Sequence, residues 1–300
     1  MKTMKNLMMA MMVVAMMVGV AMAAPKAEKK AKPAVKDSST IPEKGSAEEI
    51  NAAKAKKAKV KRRLPITPVK DVQGLPRVLI IGDSISIGYT MPTQDLLKGK
   101  VNVHRIPTNG GPTTLGLKVL TKWLGKGKWD VIHFNWGLHD LKYINTKGGL
   151  TAVATGKQQV SLADYEANLV KLVTRMKKTG AKLIFATTTP VPEGAKGRVV
   201  GDDVKYNAVA LKVMKAEGVA VDDLYTFIKP TLATAQREAN VHFFPDGSKA
   251  MARQVANHIL KALGKKPLPA PKAALAPAKE KPAKAKPAET KPAPAQAAKK

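Results

Sequence analysis

The sequence contains no cysteine and few acidic residues. Its 300 residues include 22 aspartates and glutamates against 52 lysines and arginines, which gives a formal net charge of +30. Without cysteine, disulfides, thiolate metal sites and lipid-modified cysteines are all excluded. The large positive charge favours partners that are anionic polymers.

The first residues have the pattern of a targeting segment. Lys2 and Lys5 precede an apolar stretch at 7–20, and Ala21-Met22-Ala23 follows it. This order is typical of a secretory signal peptide cleaved after Ala23. Because the stretch is too short to favour a permanent membrane span, we expect a secreted or periplasmic protein whose mature form has no stable span.

Most of the positive charge density lies outside the central part of the chain. Residues 71–265 carry 27 basic and 15 acidic side chains, and the remaining residues carry 25 and 7. We expect the Ala/Lys/Pro-rich segments 24–70 and 266–300 to be disordered, except for a possible transient helix at 46–63 that begins with a capping-box pattern. These basic tails favour anionic polymers without nucleic-acid sequence preference, since they hold no aromatic side chain to stack on bases.

Residues 71–265 alternate short apolar runs with helical patterns, which predicts one α/β domain with a parallel sheet covered on both faces. The predicted strands are 78–81, 101–105, 131–134, 183–187 and 219–221. The predicted helices are 87–97, 114–124, 162–178, 204–217, 225–238 and 247–263. In such a sheet the segments that follow the strands converge at one edge, where ligands bind.

The first of these segments supplies a candidate nucleophile. The apolar run that ends at Ile81 is followed by Gly82-Asp83-Ser84, which places Ser84 between a strand and a helix. Free N–H groups in the first turn of a helix stabilise negative charge on an oxyanion. The simpler alternative is that Asp83 or Ser84 only caps the helix.

Four segments in order resemble the SGNH hydrolase superfamily, also called GDSL-type esterases. The segments are Gly82-Asp83-Ser84-Ile85, Asn109-Gly110-Gly111-Pro112-Thr113-Thr114, Gly137-Leu138-His139-Asp140 and Val241-His242. The resemblance extends over about residues 77–263 and implies a flavodoxin-like three-layer α/β/α sandwich. It implies an ester hydrolase with Ser84 as nucleophile and His242 as general base. The implied oxyanion hole consists of the N–H groups of Ser84 and Gly111 and the side chain of His139.

The chain departs from the family pattern at two positions. His139 stands where the family has an asparagine, and Ala239 stands where it has an aspartate three residues before the histidine. A neutral imidazole can donate one hydrogen bond, so His139 is either an oxyanion donor or a second base. The missing aspartate ordinarily orients the histidine. The candidates to replace it are Asn240, Asp246 and Asp223.

Other polar and aromatic residues lie in the segments that follow the strands. The expected supporting residues are Asp83, Asn109, Asn135 and Asp140. Asx side chains commonly hold turns, although Asn109 and Asn135 have contact with substrate as an alternative. Trp136, Tyr143 and Tyr206 are candidates for a sugar platform or for the core. We expect no cofactor and no metal, because neither a dinucleotide fingerprint nor metal-ligand spacing is present in the sequence.

An exported esterase with a basic surface would meet anionic polysaccharides. We therefore expect a carbohydrate esterase that removes acetyl groups, with a small-ester or lipid esterase as the second choice. A hypothesis of another class is a non-catalytic protein on the same fold that binds polyanions or wall polymers.

Overall fold

A computed structural model describes residues 64–271. The predicted signal peptide, the possible helix at 46–63 and the tail beyond residue 271 lie outside the described residues. Between residues 64 and 271, no helix is both long and apolar enough to cross a bilayer. In the same range there is no group of three or more histidine, aspartate or glutamate side chains that could hold a metal ion.

Five parallel strands form the central sheet. The strands within residues 64–271 are β1 Arg77–Ile81, β2 Asn102–Arg105, β3 Val131–Phe134, β4 Tyr143–Ile144, β5 Lys157–Gln158, β6 Lys182–Ala186 and β7 Ala220–Asp222. The sheet order is β2-β1-β3-β6-β7, and Ile80 of β1 is in register with Arg105 on one side and His133 on the other. This is the flavodoxin-like order, in which ligands bind outside the carboxyl ends of the strands next to β1.

Helices cover both faces of this sheet. They are α1 Ser84–Leu96, α2 Thr113–Leu124, α3 Leu162–Lys177, α4 Asp202–Ala216, α5 Leu224–Ile228, α6 Leu232–Ala235 and α7 Pro245–Ala262. Helix α1 packs against α7, whereas α2, α3 and α4 pack in a row. The predicted three-layer α/β/α sandwich is therefore confirmed. The apolar run at 78–81 of β1 follows from it, since these side chains are buried between two helical layers.

The bounds of most elements differ from the prediction by three residues or fewer. The single helix predicted at 225–238 is wrong: the structure has α5, a 3₁₀ turn at Lys229–Thr231 and then α6. Pro230 lies in that turn and has no N–H to continue α-helical hydrogen bonding. The antiparallel pair β4–β5 was not predicted, because two-residue strands are too short to show an alternating pattern.

Candidate active site

The turn between β1 and α1 positions Ser84 at the carboxyl edge of the sheet. Asp83 is the N-cap of α1, and its Oδ1 accepts a hydrogen bond of 2.9 Å from the N–H of Ile85. The Asp83 side chain is buried, so it holds the turn instead of facing solvent. Ser84 is the first residue of α1 and is half-buried, which leaves its hydroxyl accessible at the helix N-terminus.

His242 lies beside Ser84 although 158 residues separate them in the sequence. Its Nε2 is 2.8 Å from Ser84 Oγ, and its Nδ1 is 2.7 Å from Asn240 Oδ1. The same amide oxygen accepts the backbone N–H of His242 at 3.0 Å. Because a backbone N–H can only donate, the oxygen of the Asn240 amide faces the ring, and Nδ1 carries the proton. Nε2 is then free to accept the proton of the Ser84 hydroxyl.

Asn240 is the only one of the three candidates for the missing aspartate that reaches His242. Asp246 pairs with Lys249 at 2.9 Å. Asp223 caps α5 and accepts from Thr187 Oγ1 at 2.9 Å. Ala239, at the family's aspartate position, has a left-handed backbone with φ of 50°. Its Cβ is directed at Gly194, where an added Cβ would lie 3.0 Å away.

A cavity of about 400 Å³ is bordered by Ser84, His242 and His139. The Nδ1 of His139 is 3.5 Å from the Nζ of Lys142. An ammonium group has no acceptor, so Nδ1 accepts here and the ring proton lies on Nε2. Burial lowers the pKa of His139, and the charges of Lys142 and Arg198 lower it further against the opposing effect of Asp83. His139 is thus a neutral ring with one N–H to donate.

The loop after β2 lies against the Ser84 turn. The N–H of Gly110 donates to the carbonyl of Gly82 at 2.9 Å, and a Cβ on Gly110 would lie 2.8 Å from that oxygen. Only glycine allows this close approach. The N–H of Gly111 donates to Asn109 Oδ1 at 2.9 Å, and Asn109 borders the cavity. An oxyanion can therefore use the Gly111 N–H only in competition with the Asn109 side chain.

Asn135 and Asp140 are buried and tie neighbouring loops together. Asn135 Nδ2 donates to the carbonyl of Ala186 at 2.8 Å. Asp140 Oδ1 accepts from the N–H and the hydroxyl of Thr113, at 2.8 and 2.6 Å, where α2 begins. Burial raises the pKa of Asp140 to about 7. Neither residue borders the cavity beside Ser84.

Arg105 is a supporting residue that the sequence analysis missed. One guanidinium nitrogen, Nη2, donates to the carbonyls of Gly82 and Asp83 and to the hydroxyl of Ser86, at 2.8, 3.1 and 2.9 Å. The other, Nη1, donates to two carbonyls of its own loop at 2.8 and 2.7 Å. Burial lowers the pKa of Arg105 to about 10. The signal available in the sequence was an arginine at the end of a predicted strand.

Two of the three aromatic candidates lie in the core. The side chains of Trp136 and Tyr206 are fully buried in the core. Tyr143 is half-buried in β4. The platform interpretation of Trp136 and Tyr206 was therefore wrong, and the core interpretation was correct.

No family model matches the chain, and no curated protein is significantly similar to it in sequence. Solved structures do match. A lipase/acylhydrolase from Enterococcus faecalis has a TM-score of 0.53 at 22% identity, with 65% of this chain and 100% of that chain covered. A protein of Parabacteroides merdae assigned as a GDSL-like lipase has a TM-score of 0.51 at 16% identity, covering 66% and 100%. An acetylxylan esterase from Geobacillus stearothermophilus has a TM-score of 0.50 at 17% identity, covering 64% and 95%.

These likenesses show that the chain has the fold of GDSL-like lipases and acetylxylan esterases. That is the fold implied by the resemblance of its four sequence segments to the SGNH hydrolases.

Proposed function

We propose that the protein is an exported serine esterase that removes acetyl groups from carbohydrates. The observation that carries the proposal is the contact of 2.8 Å between Ser84 Oγ and His242 Nε2. The Asn240 amide oxygen supports it by fixing the ring tautomer that a general base needs. The solved acetylxylan esterase with the same fold supports the choice of an acetyl ester.

In the first half of the reaction, Ser84 Oγ attacks the carbonyl carbon of the ester while His242 Nε2 takes the hydroxyl proton. The resulting imidazolium is stabilised through its Nδ1–H by Asn240 Oδ1. The tetrahedral intermediate then collapses, the bond to the alcohol breaks, and His242 returns its proton to the leaving oxygen. The products of this half are the free carbohydrate hydroxyl and an acetyl group on Ser84.

The developing oxyanion lies between the N–H of Ser84 at the start of α1 and the Nε2–H of His139. Both donors are neutral groups with a fixed proton, so they stabilise charge without having to reorganise. The Gly111 N–H contributes a third donor when the oxyanion displaces Asn109 Oδ1 from it. Loss of one such donor typically lowers turnover by about 100-fold to 1000-fold.

In the second half, a water molecule replaces the alcohol. His242 Nε2 takes a proton from the water as its oxygen attacks the acetyl carbonyl, and the same nitrogen then protonates Ser84 Oγ as it leaves. Acetate is released and the enzyme returns to its starting state. Asn240 keeps the ring in one orientation through both halves.

A non-catalytic role is the competing hypothesis, favoured by the absence of the aspartate at residue 239. On this hypothesis the basic segments before residue 71 and after residue 265 bind anionic wall polymers. Polyanion binding of that kind falls steeply as salt increases, whereas ester hydrolysis need not.

The experiment that separates the two hypotheses is acetyl-ester hydrolysis by the purified protein beside Ser84→Ala. A chromogenic acetyl ester and a panel of acetylated polysaccharides are the substrates. We expect hydrolysis that disappears in Ser84→Ala. Equal background rates in both proteins across the panel would contradict the esterase proposal and favour the binding protein.

A further inference from the structure

We propose that the active-site cleft selects esters that carry a negatively charged group, a carboxylate or a sulfate, close to the scissile bond. This inference rests on the proposed esterase function and specifies its substrate. It is drawn from the charges that surround Ser84 and His242.

Cations border the first cavity beside Ser84, of about 400 Å³. They are Lys142, Lys196 and Arg198, and no aspartate or glutamate borders that cavity. Arg198 is held in place because its Nε and Nη2 both donate to the carbonyl of Leu138, at 3.3 and 3.1 Å. Within residues 64–271, none of these three cations forms an ion pair.

A second cavity, of about 360 Å³, also borders Ser84 and His242 and contains Arg237. The Arg237 guanidinium lies 5.5 Å from the centre of the Phe244 ring, and the backbone N–H of Arg237 donates to the His242 carbonyl at 3.0 Å. No acidic side chain borders this cavity either. The Ser84–His242 pair therefore has cations on both sides and carboxylates on neither.

Asp140 acts on Lys142 and Asp83 acts on Arg198 through charge, but neither carboxylate forms an ion pair with these cations. Asp83 is buried and bonded to the N–H of Ile85, and Asp140 is buried and bonded to Thr113. Elsewhere on the surface, several lysines have a carboxylate partner within 3 Å, as in the pair Lys177 and Glu217. The charges at the cleft are thus left available to a ligand.

The surroundings of Lys142 and Arg198 disfavour the charged forms of these side chains. Burial lowers the pKa of Lys142, and the charge of Arg198 lowers it further. Burial likewise lowers the pKa of Arg198. An anionic group in the cavity would favour the charged form of both side chains, and its field would guide the substrate toward the cleft.

The test compares matched neutral and anionic esters with the full chain. One arm uses acetylated xylo-oligosaccharides against acetylated galacturono-oligosaccharides, so that the charge is on the sugar. The other uses 4-nitrophenyl acetate against 4-nitrophenyl hemisuccinate, so that the charge is on the acyl group. The variants are Lys196→Gln and Arg237→Gln, with Lys118→Gln, an exposed lysine of α2 that borders neither cavity, as the matched control.

We expect kcat/KM to favour the anionic ester in at least one arm, and the arm that responds identifies the charged half of the substrate. The preference should fall by about threefold to fivefold in Lys196→Gln or Arg237→Gln, the size typical of an exposed ion pair, and remain in Lys118→Gln. It should also weaken at high salt. A ratio of one or less in both arms, or an equal effect of all three substitutions, would overturn the inference.

A binding measurement separates this inference from the proposed function. Calorimetry records the binding of trigalacturonate to Ser84→Ala protein, with and without Lys196→Gln or Lys118→Gln, so that all proteins compared carry the same basic tails. One outcome is that Lys196→Gln weakens binding, Lys118→Gln does not, and no Ser84-dependent hydrolysis is found. That outcome would support the anion site and reject the esterase proposal. Hydrolysis without charge preference and without this difference in binding would reject the anion site alone.

Discussion

Replacing Asn240 by aspartate puts a negative charge beside the Nδ1–H of His242, where the wild-type chain has a neutral amide oxygen 2.7 Å away. The carboxylate keeps an acceptor for the backbone N–H of His242, so the geometry of the turn is retained. It adds charge stabilisation of the imidazolium that forms in the transition state. We therefore expect Asn240→Asp to be more active than the wild type.

The size of the gain follows from the exposure of the pair. Asn240 and His242 are both exposed, so the effective dielectric constant is close to that of water. Two unit charges about 4 Å apart then interact by about 1 kcal/mol. This corresponds to a gain in kcat/KM of roughly fivefold at most.

The assay is the pH dependence of kcat/KM for an acetyl ester. In Asn240→Asp we expect the acid limb of the profile to move up by about 0.7 pH unit, because about 1 kcal/mol is gained and 1.36 kcal/mol corresponds to one unit. Asn240→Ala removes the acceptor and should lower kcat/KM. Ala233→Asp is the matched control, since it adds the same charge on an exposed residue of α6 that borders neither cavity beside Ser84.

Two results would refute the proposed role of Asn240. The first is full activity in Asn240→Ala. The second is a gain from Ala233→Asp that equals the gain from Asn240→Asp, since that would show a general effect of charge instead of a contact with Nδ1.

Three further predictions concern residues around the site. Arg105→Met leaves the carbonyls that the guanidinium binds unpaired. It should lower the free energy of unfolding by about 3 kcal/mol, which corresponds to roughly 6–12 °C in Tm by thermal denaturation. An unchanged Tm would show that Arg105 does not hold the Ser84 turn. Burial raises the pKa of Asp140 to about 7 from its usual 3.8, so the folded state holds a proton that the unfolded state loses between about pH 4 and 7. Stability should decline over that range by a few kcal/mol. Asp140→Asn should remove this part of the pH dependence, and an unchanged profile would contradict it. For an acetyl ester, His139→Asn should keep kcat within about tenfold of the wild type, whereas His139→Ala should lower kcat by about 100-fold to 1000-fold. Equal losses in the two variants would indicate an acid or base role for His139.

The architecture could be predicted because its signals are local. Strands β1 and β6 are short apolar runs that follow a basic residue, and parallel strands buried on both faces show this pattern. The β1–α1 turn could be predicted equally well, since Gly82-Asp83-Ser84 combines the end of a strand and a helix cap within three residues. The break at Pro230 was missed because the residues on both sides of it continue the apolar spacing of a helix.

The contacts of the site were harder to predict because they depend on how each loop folds, even where the two residues are close in the sequence. Sequence spacing gave no means to choose among Asn240, Asp246 and Asp223. The choice follows from the turn before α7, which brings the Asn240 side chain to His242. The interaction of Lys142 with His139 Nδ1 likewise requires the folded loop after β3. Arg105 is adjacent to the Ser84 turn only because β2 lies beside β1 in the sheet.

The central claim is that Ser84 is a nucleophile activated by His242. Its most direct test is mass spectrometry of the full chain after treatment with a fluorophosphonate, which forms a covalent bond with an activated serine hydroxyl. We predict a single adduct on Ser84, absent in Ser84→Ala and much slower to form in His242→Ala, with Lys118→Gln labelled at the wild-type rate. No adduct, or an adduct at another serine, would contradict the account.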